Sequence, residues 1–186
     1  MQRVVILGCP GSGKSTLAMA LGEKTGLPGV HGDKLFWHSG WVESTKEEID
    51  EKLTAAAGAD TWIIDGNYTR TLPLRLERCD TVMFLDLPRW VCMLSIFKRF
   101  FANIGTVRPD MPEGCPEGLD WEFICWVWNF KKTHIGRMHQ MVRRHPEKDI
   151  RIFKMQDMIE RNGAKARDDI EGVQKKSIRN SLKVSV

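Results

Sequence analysis

Nine consecutive residues, Gly8-Cys9-Pro10-Gly11-Ser12-Gly13-Lys14-Ser15-Thr16, carry the spacing G-x-x-x-x-G-K-[ST] in full. The charges of a triphosphate must be held away from water, and a glycine-rich turn does this by aiming successive backbone N–H groups inward. Gly8, Pro10, Gly11, Ser12, Gly13 and Thr16 are read as this cradle for ATP. Lys14 then reaches the β- and γ-phosphates as the catalytic cation, and the Ser15 hydroxyl completes the coordination of Mg²⁺. Octahedral Mg²⁺ keeps several waters and calls for a carboxylate beside Ser15. Asp65 and Asp86, each closing an apolar run, compete for that place.

The elements around these residues alternate. Residues 4–7 form a β-branched and aliphatic run, the pattern of a strand buried on both faces, and from Ser15 the periodicity becomes helical until Gly26. Residues 29–33 read as a short second strand ending at Asp33, and Ser44-Thr45-Lys46-Glu47 as a capping box for a helix that Gly58 closes. Residues 61–66 and 81–86 are two further buried-strand runs. Pro88 opens an apolar helix to about residue 101, and a flap rich in proline and glycine follows over about residues 102–120. Asp120 caps a helix over residues 121–144, and a strand at residues 149–153 and a short helix ending at Gly163 complete the pattern. Such alternation gives an α/β fold with a parallel sheet whose ligands bind outside the carboxyl ends of the strands.

The 186 residues hold 28 Lys+Arg against 24 Asp+Glu, and 42% are hydrophobic, as in ordinary globular proteins. One domain is expected over residues 1–163, with a basic tail at 164–186. Cys9, Cys79, Cys92, Cys115 and Cys125 form no C-x-x-C pair and no cluster at zinc spacing, which argues against the disulfide-scaffold, zinc-finger and thioredoxin readings and suits a reducing cytoplasm. His31 and His38 flank Asp33 without the further ligands that zinc needs. The most apolar stretch, residues 90–101, is broken by Lys98 and Arg99, so no membrane partner is expected. Aromatics in residues 121–130 exceed one helix face and are expected in the core, on the flap or at an interface, as a monomer or homodimer.

The order of these motifs resembles the plan of adenylate kinase and shikimate kinase, P-loop enzymes that transfer a phosphoryl group: Asp33 after the second strand, Asp65-Gly66 after the third, then an arginine-bearing helix entering a flap. The resemblance implies a three-layer sandwich around a five-stranded parallel sheet of order 2-3-1-4-5. It also implies that the Asp65 strand lies beside the phosphate loop, which favours Asp65 over Asp86 as the Mg²⁺ partner. Residues 64–70 resemble the D-G-x-P-R stretch of adenylate kinases, which makes Arg70 a candidate for a substrate anion. A closer likeness, over about residues 3–162, is to the bacterial DNA topology modulation proteins, a FlaR-related group of adenylate-kinase-like proteins. His31-Gly32-Asp33-Lys34-Leu35-Phe36-Trp37, Gly40-Trp41, Asp65-Gly66-Asn67-Tyr68 and the prolines of the flap carry it. Gly118 stands where that likeness implies an arginine.

The expected chemistry is ATP- and Mg²⁺-dependent phosphoryl transfer to a small acceptor, a nucleoside or nucleotide. It asks for an acid near the attacking hydroxyl and arginines around the developing charge. By resemblance Asp33 holds or deprotonates the acceptor, and Arg99 and Arg137 flank the flap as catalytic cations. Trp37, Trp41 and Tyr68 follow the two acids and can stack a flat acceptor, or simply pack. The alternative is a nucleic-acid-associated NTPase, suggested by a net charge of +4 and by Lys175, Lys176 and residues 179–183 of the tail.

Overall fold

The computed structural model describes residues 1–154. In chain order the first elements are β1 (Arg3–Gly8), α1 (Lys14–Thr25), β2 (Gly29–His31), α2 (Gly32–Phe36), β3 (Trp37–His38), β4 (Val42–Glu43) and α3 (Lys46–Ala57). There follow β5 (Trp62–Asp65), α4 (Leu72–Arg78), β6 (Thr81–Leu85), α5 (Arg89–Ala102), α6 (Trp121–Phe130), a π-helical turn (Lys131–Ile135), α7 (Gly136–Arg143) and β7 (Asp149–Phe153). Met1–Ile152 form one compact unit. The expected helix ending at Gly163 and the basic tail lie outside the described residues.

Continuous apolar runs belong in a sheet covered on both faces, and β1 takes that place. Val4, Val5, Ile6 and Leu7 have no exposed surface, nor do Ile63, Ile64, Val82 and Phe84 on the neighbouring strands. Each such side chain contributes roughly 1.5–3 kcal/mol by leaving water. β1 pairs in parallel with both β5 and β6, so that Val4 lies opposite Ile63 on one side and Thr81 on the other. The sheet order is β2-β5-β1-β6-β7, which is 2-3-1-4-5 once β3 and β4, a separate antiparallel hairpin, are left aside.

Local chemistry differs from the sequence expectation in three places. The second strand stops at His31, and Asp33 lies inside α2 rather than at a strand end. A Cβ on Gly32 would strike the Tyr68 ring and come within 2.8 Å of the Asp65 carbonyl oxygen, so the chain can turn there only with glycine. The cap of α3 is Thr45, whose side chain accepts from the Glu48 N–H at 3.2 Å. Ser44 is buried instead and donates to the Leu35 carbonyl at 3.1 Å. The helix expected over residues 121–144 is interrupted by the π-helical turn, an insertion often found at functional positions. Its Asp120 cap is as expected, accepting from the Glu122 N–H.

Residues 103–118 are a loop held at several points. Glu117, with a side chain only 3% exposed, ion-pairs with Arg99 at 2.8 Å and Arg108 at 2.7 Å. The Gly40 N–H donates to Gly114 O at 3.0 Å, and Trp41 Nε1 donates to Pro116 O at 3.2 Å, so the loop rests on the β3–β4 hairpin. In α6, Val127 and Phe130 enter the core, whereas Trp121, Trp126 and Trp128 remain exposed, Trp128 beneath the Arg89 guanidinium. Among the described residues no helix is long and apolar enough to cross a membrane.

Candidate active site

The turn between β1 and α1 fits its neighbours because it lacks side chains. At Gly8, φ +146°, a Cβ would lie 2.6 Å from Leu85 O, and at Gly11, φ +76°, 2.5 Å from Cys92 O. Gly13 then enters α1 from the left-handed region at φ +90°, with no side-chain cap and no acid in the first turn. The first N–H groups of α1 are therefore left for an anion. Ser12 Oγ is buried without a partner among the described residues, as expected of a hydroxyl awaiting a ligand oxygen. Asn67 locks the entrance: its side-chain amide donates to Gly8 O at 2.9 Å, and its Oδ1 accepts from the Gly8 N–H at 3.2 Å.

Lys14 Nζ donates to Cys9 O at 3.2 Å. Burial draws its pKa down, while the carboxylates of Asp33 and Asp65 oppose that shift, which places both acids in the field of the ammonium. Asp65, 3% exposed at the end of β5, contacts His31 Nδ1 at 3.0 Å and accepts from the Gly32 N–H at 3.3 Å. Asp33 accepts from the Tyr68 hydroxyl at 2.8 Å. Burial, then the Asp33 charge, pushes the Tyr68 pKa up, so the phenol stays a donor.

The strand that Asp86 follows, β6, also borders β1, so sheet order alone does not decide between the two acids. Their surroundings differ. Asp86 is paired with Lys131 of the π-helical turn at 2.7 Å and lies 3.6 Å from His139, whereas the Asp65 charge, like that of Asp33, acts on the Lys14 ammonium. The donors fit Mg²⁺: a hydroxyl at Ser15 and a carboxylate at Asp65 that has lone pairs left after two hydrogen bonds, both hard oxygens.

The other sequence-derived candidates lie on several different elements. Arg70 is tied to Asp50 of α3 at 2.6 Å and half exposed. Arg99 is held by Glu117, and Arg137 is exposed on α7 without an ion-pair partner among the described residues. Trp37 packs edge-on between Phe36 and Trp41. Sequence reasoning missed Arg75 of α4, fully buried, which donates to Gly66 O at 2.9 Å and Tyr68 O at 2.8 Å and so shapes the loop after Asp65. Burial lowers its pKa to about 10, which leaves it charged at neutral pH. No spacing announces such a residue, because an arginine between Leu72 and Leu76 on a short helix reads as a solvated face.

Two expected results follow locally. The hydrogen bond to Asp65 raises the His31 pKa against the opposing effect of burial. A histidine shifted upward adds stability in full below its unfolded value of about 6.5, and that contribution is lost as pH rises through the folded pKa. Urea midpoints of the protein and of His31→Gln should therefore differ most near pH 5.5 and converge toward pH 9; a constant difference would refute the pairing. The thiols are ranked in the same way. Hydrogen bonding to Cys92 and burial push the Cys9 thiol up, and burial pushes Cys79 to about 11, while Cys125 is partly exposed. Iodoacetamide at pH 7.5 should alkylate Cys125 and spare Cys9 and Cys79 until the chain is denatured, as peptide mass spectrometry would read.

The parallel sheet in this order, with a glycine-rich G-x-x-x-x-G-K-S turn between its central strand and α1, defines a P-loop α/β fold. Residues 4–83 match the family model described as an AAA domain. Over 158 residues the chain is 26% identical to the adenylate kinase of Thermotoga neapolitana, covering 80% of this chain and 68% of that one. Among solved structures it is similar to a shikimate kinase from Bacteroides thetaiotaomicron (TM-score 0.49, 16% identity, 82% of this chain and 85% of that chain). It is also similar to a gluconokinase from Sinorhizobium meliloti 1021 (TM-score 0.46, 15% identity, 82% of each chain).

Proposed function

We propose that this chain is a P-loop kinase that uses ATP and Mg²⁺ to phosphorylate a small acceptor. What carries the reading is a phosphate cradle kept free of side chains at its glycines, with Lys14 at the start of α1, whose ammonium is influenced by the charges of two carboxylates from separate elements, Asp33 of α2 and Asp65 of β5. A phosphate-binding turn alone would need no acid beyond the γ-phosphate. Transfer to a hydroxyl needs one to orient the nucleophile and take its proton. Asp33 has that role, with the Tyr68 hydroxyl fixing its rotamer.

The cradle amides and Lys14 hold the triphosphate, and Ser12 Oγ gains a partner from it. Ser15 and Asp65 would hold Mg²⁺, which supplies charge neutralisation at the phosphates. Arg99 assists once Glu117 releases it, and Arg137 is assigned to the same cover. The five free cysteines suit the cytoplasmic setting that this reading assumes. The motifs of residues 31–37, 65–68 and 108–117 support the DNA topology modulation proteins as the nearer affiliation.

Calorimetric titration with a non-hydrolysable ATP analogue and Mg²⁺, followed by ADP release across a panel of hydroxyl- and phosphate-bearing acceptors, tests the proposal. Binding and acceptor-dependent ADP are expected; ATP binding with no acceptor-dependent turnover would leave only a nucleotide-responsive binding module.

A further inference from the structure

We infer that the acceptor is an uncharged, ring-bearing alcohol of the nucleoside kind, and that the site discriminates against the same compound carrying a phosphate. The inference rests on the kinase reading above and names the acceptor class within it. Asp33 is exposed and accepts one hydrogen bond, from Tyr68, so its carboxylate retains lone pairs for a hydroxyl. Phe36 lies three residues further along α2, on the same helix face, and begins a wall of aromatic rings in tilted and edge-to-face contact. Its ring is 5.7 Å from Tyr68 and 4.9 Å from Trp37, whose ring is in turn 5.2 Å from Trp41. Trp41 is the one described non-glycine residue with positive φ, +62°, and its indole N–H is bonded to Pro116 O. A bulky side chain held in that conformation is fixed by its surroundings.

Among the described residues, the arginines on the segments that meet this wall are already engaged. Arg70 is paired with Asp50, Arg75 with two backbone carbonyls, and Arg108 with Asp110 and Glu117. His31 is tied to Asp65, and Lys34 is exposed on α2 as a hydrated point charge. A phosphate leaving water needs bidentate guanidinium or several N–H donors, and here it would also face the Asp33 carboxylate. A flat neutral ring meets neither difficulty and stacks on the wall.

The test compares kcat/KM for ribo- and deoxyribonucleosides with that for their 5′-monophosphates, using the full chain with ATP and Mg²⁺. A preference of about 100-fold or more for the neutral series is expected. Trp37→Ala should raise KM for the neutral acceptor about tenfold with kcat little changed, and Trp37→Phe should restore it. Equal or better turnover of the monophosphates overturns the inference. So does a failure of every neutral ring-bearing alcohol to raise ADP formation while ATP binding remains intact, an outcome that leaves the kinase reading standing. Absence of ATP binding removes both.

Discussion

Lys14→Ala is expected to abolish measurable ATP uptake and to lower kcat/KM by about 10²–10³-fold, some 3–4 kcal/mol of lost transition-state stabilisation. Stability should hardly move. In the folded protein Lys14 makes a single hydrogen bond, to Cys9 O, and its charge is disfavoured by burial, so its removal relieves a cost as well as losing a contact. The unfolding midpoint should therefore stay within about 1 kcal/mol of the parent or rise. Calorimetry and urea denaturation on the same preparation separate the two effects. A variant that binds ATP as well as the parent would remove the basis for every role assigned above.

Arg75→Leu should behave in the opposite way, losing stability first and activity as a consequence. The substitution strands the carbonyl oxygens of Gly66 and Tyr68 in the interior, each at a cost of about 1–3 kcal/mol, and recovers part of that by no longer burying a guanidinium. A net loss of about 2–4 kcal/mol is expected, or roughly 6–12 °C in Tm for a chain of this size. Arg75→Lys should fall between, because one ammonium cannot span two carbonyls as the fork does. The loop that moves carries Tyr68, the donor to Asp33, so the pH profile of turnover should shift in Arg75→Lys even where the protein is folded. A variant as stable as the parent, with unchanged kinetics, would show that the loop is shaped by something else.

Much of the site was legible because its signals are local. The phosphate loop is recognised from nine adjacent residues, since the requirement for main-chain donors and room for phosphate acts within one turn. The strand runs ending at Gly8, Asp65 and Leu85, the start of α5 after Pro88, the Asp120 cap and the Gly26 stop are equally local. Asp33 was found for its chemistry but placed wrongly, because the strand already stops at His31 and α2 starts at Gly32, where only glycine fits beside the Tyr68 ring, 36 residues further on. Arg99 stood out as a cation near a flap, and nothing adjacent to it announced that one buried glutamate would hold it together with Arg108.

By itself, then, the sequence determined what the backbone does within a few residues: which segments extend, where helices start and stop, and where a polyphosphate can meet unobstructed amides. The tertiary structure decided which charges stay available, joining Arg70 to Asp50, Arg75 to the loop after Asp65, and Lys131 to Asp86. Side-chain pairing is set by three-dimensional proximity and burial, and residues 8 and 67, which clamp the cradle, or 99 and 117, which tie the flap, meet only after the sheet and its helices have packed.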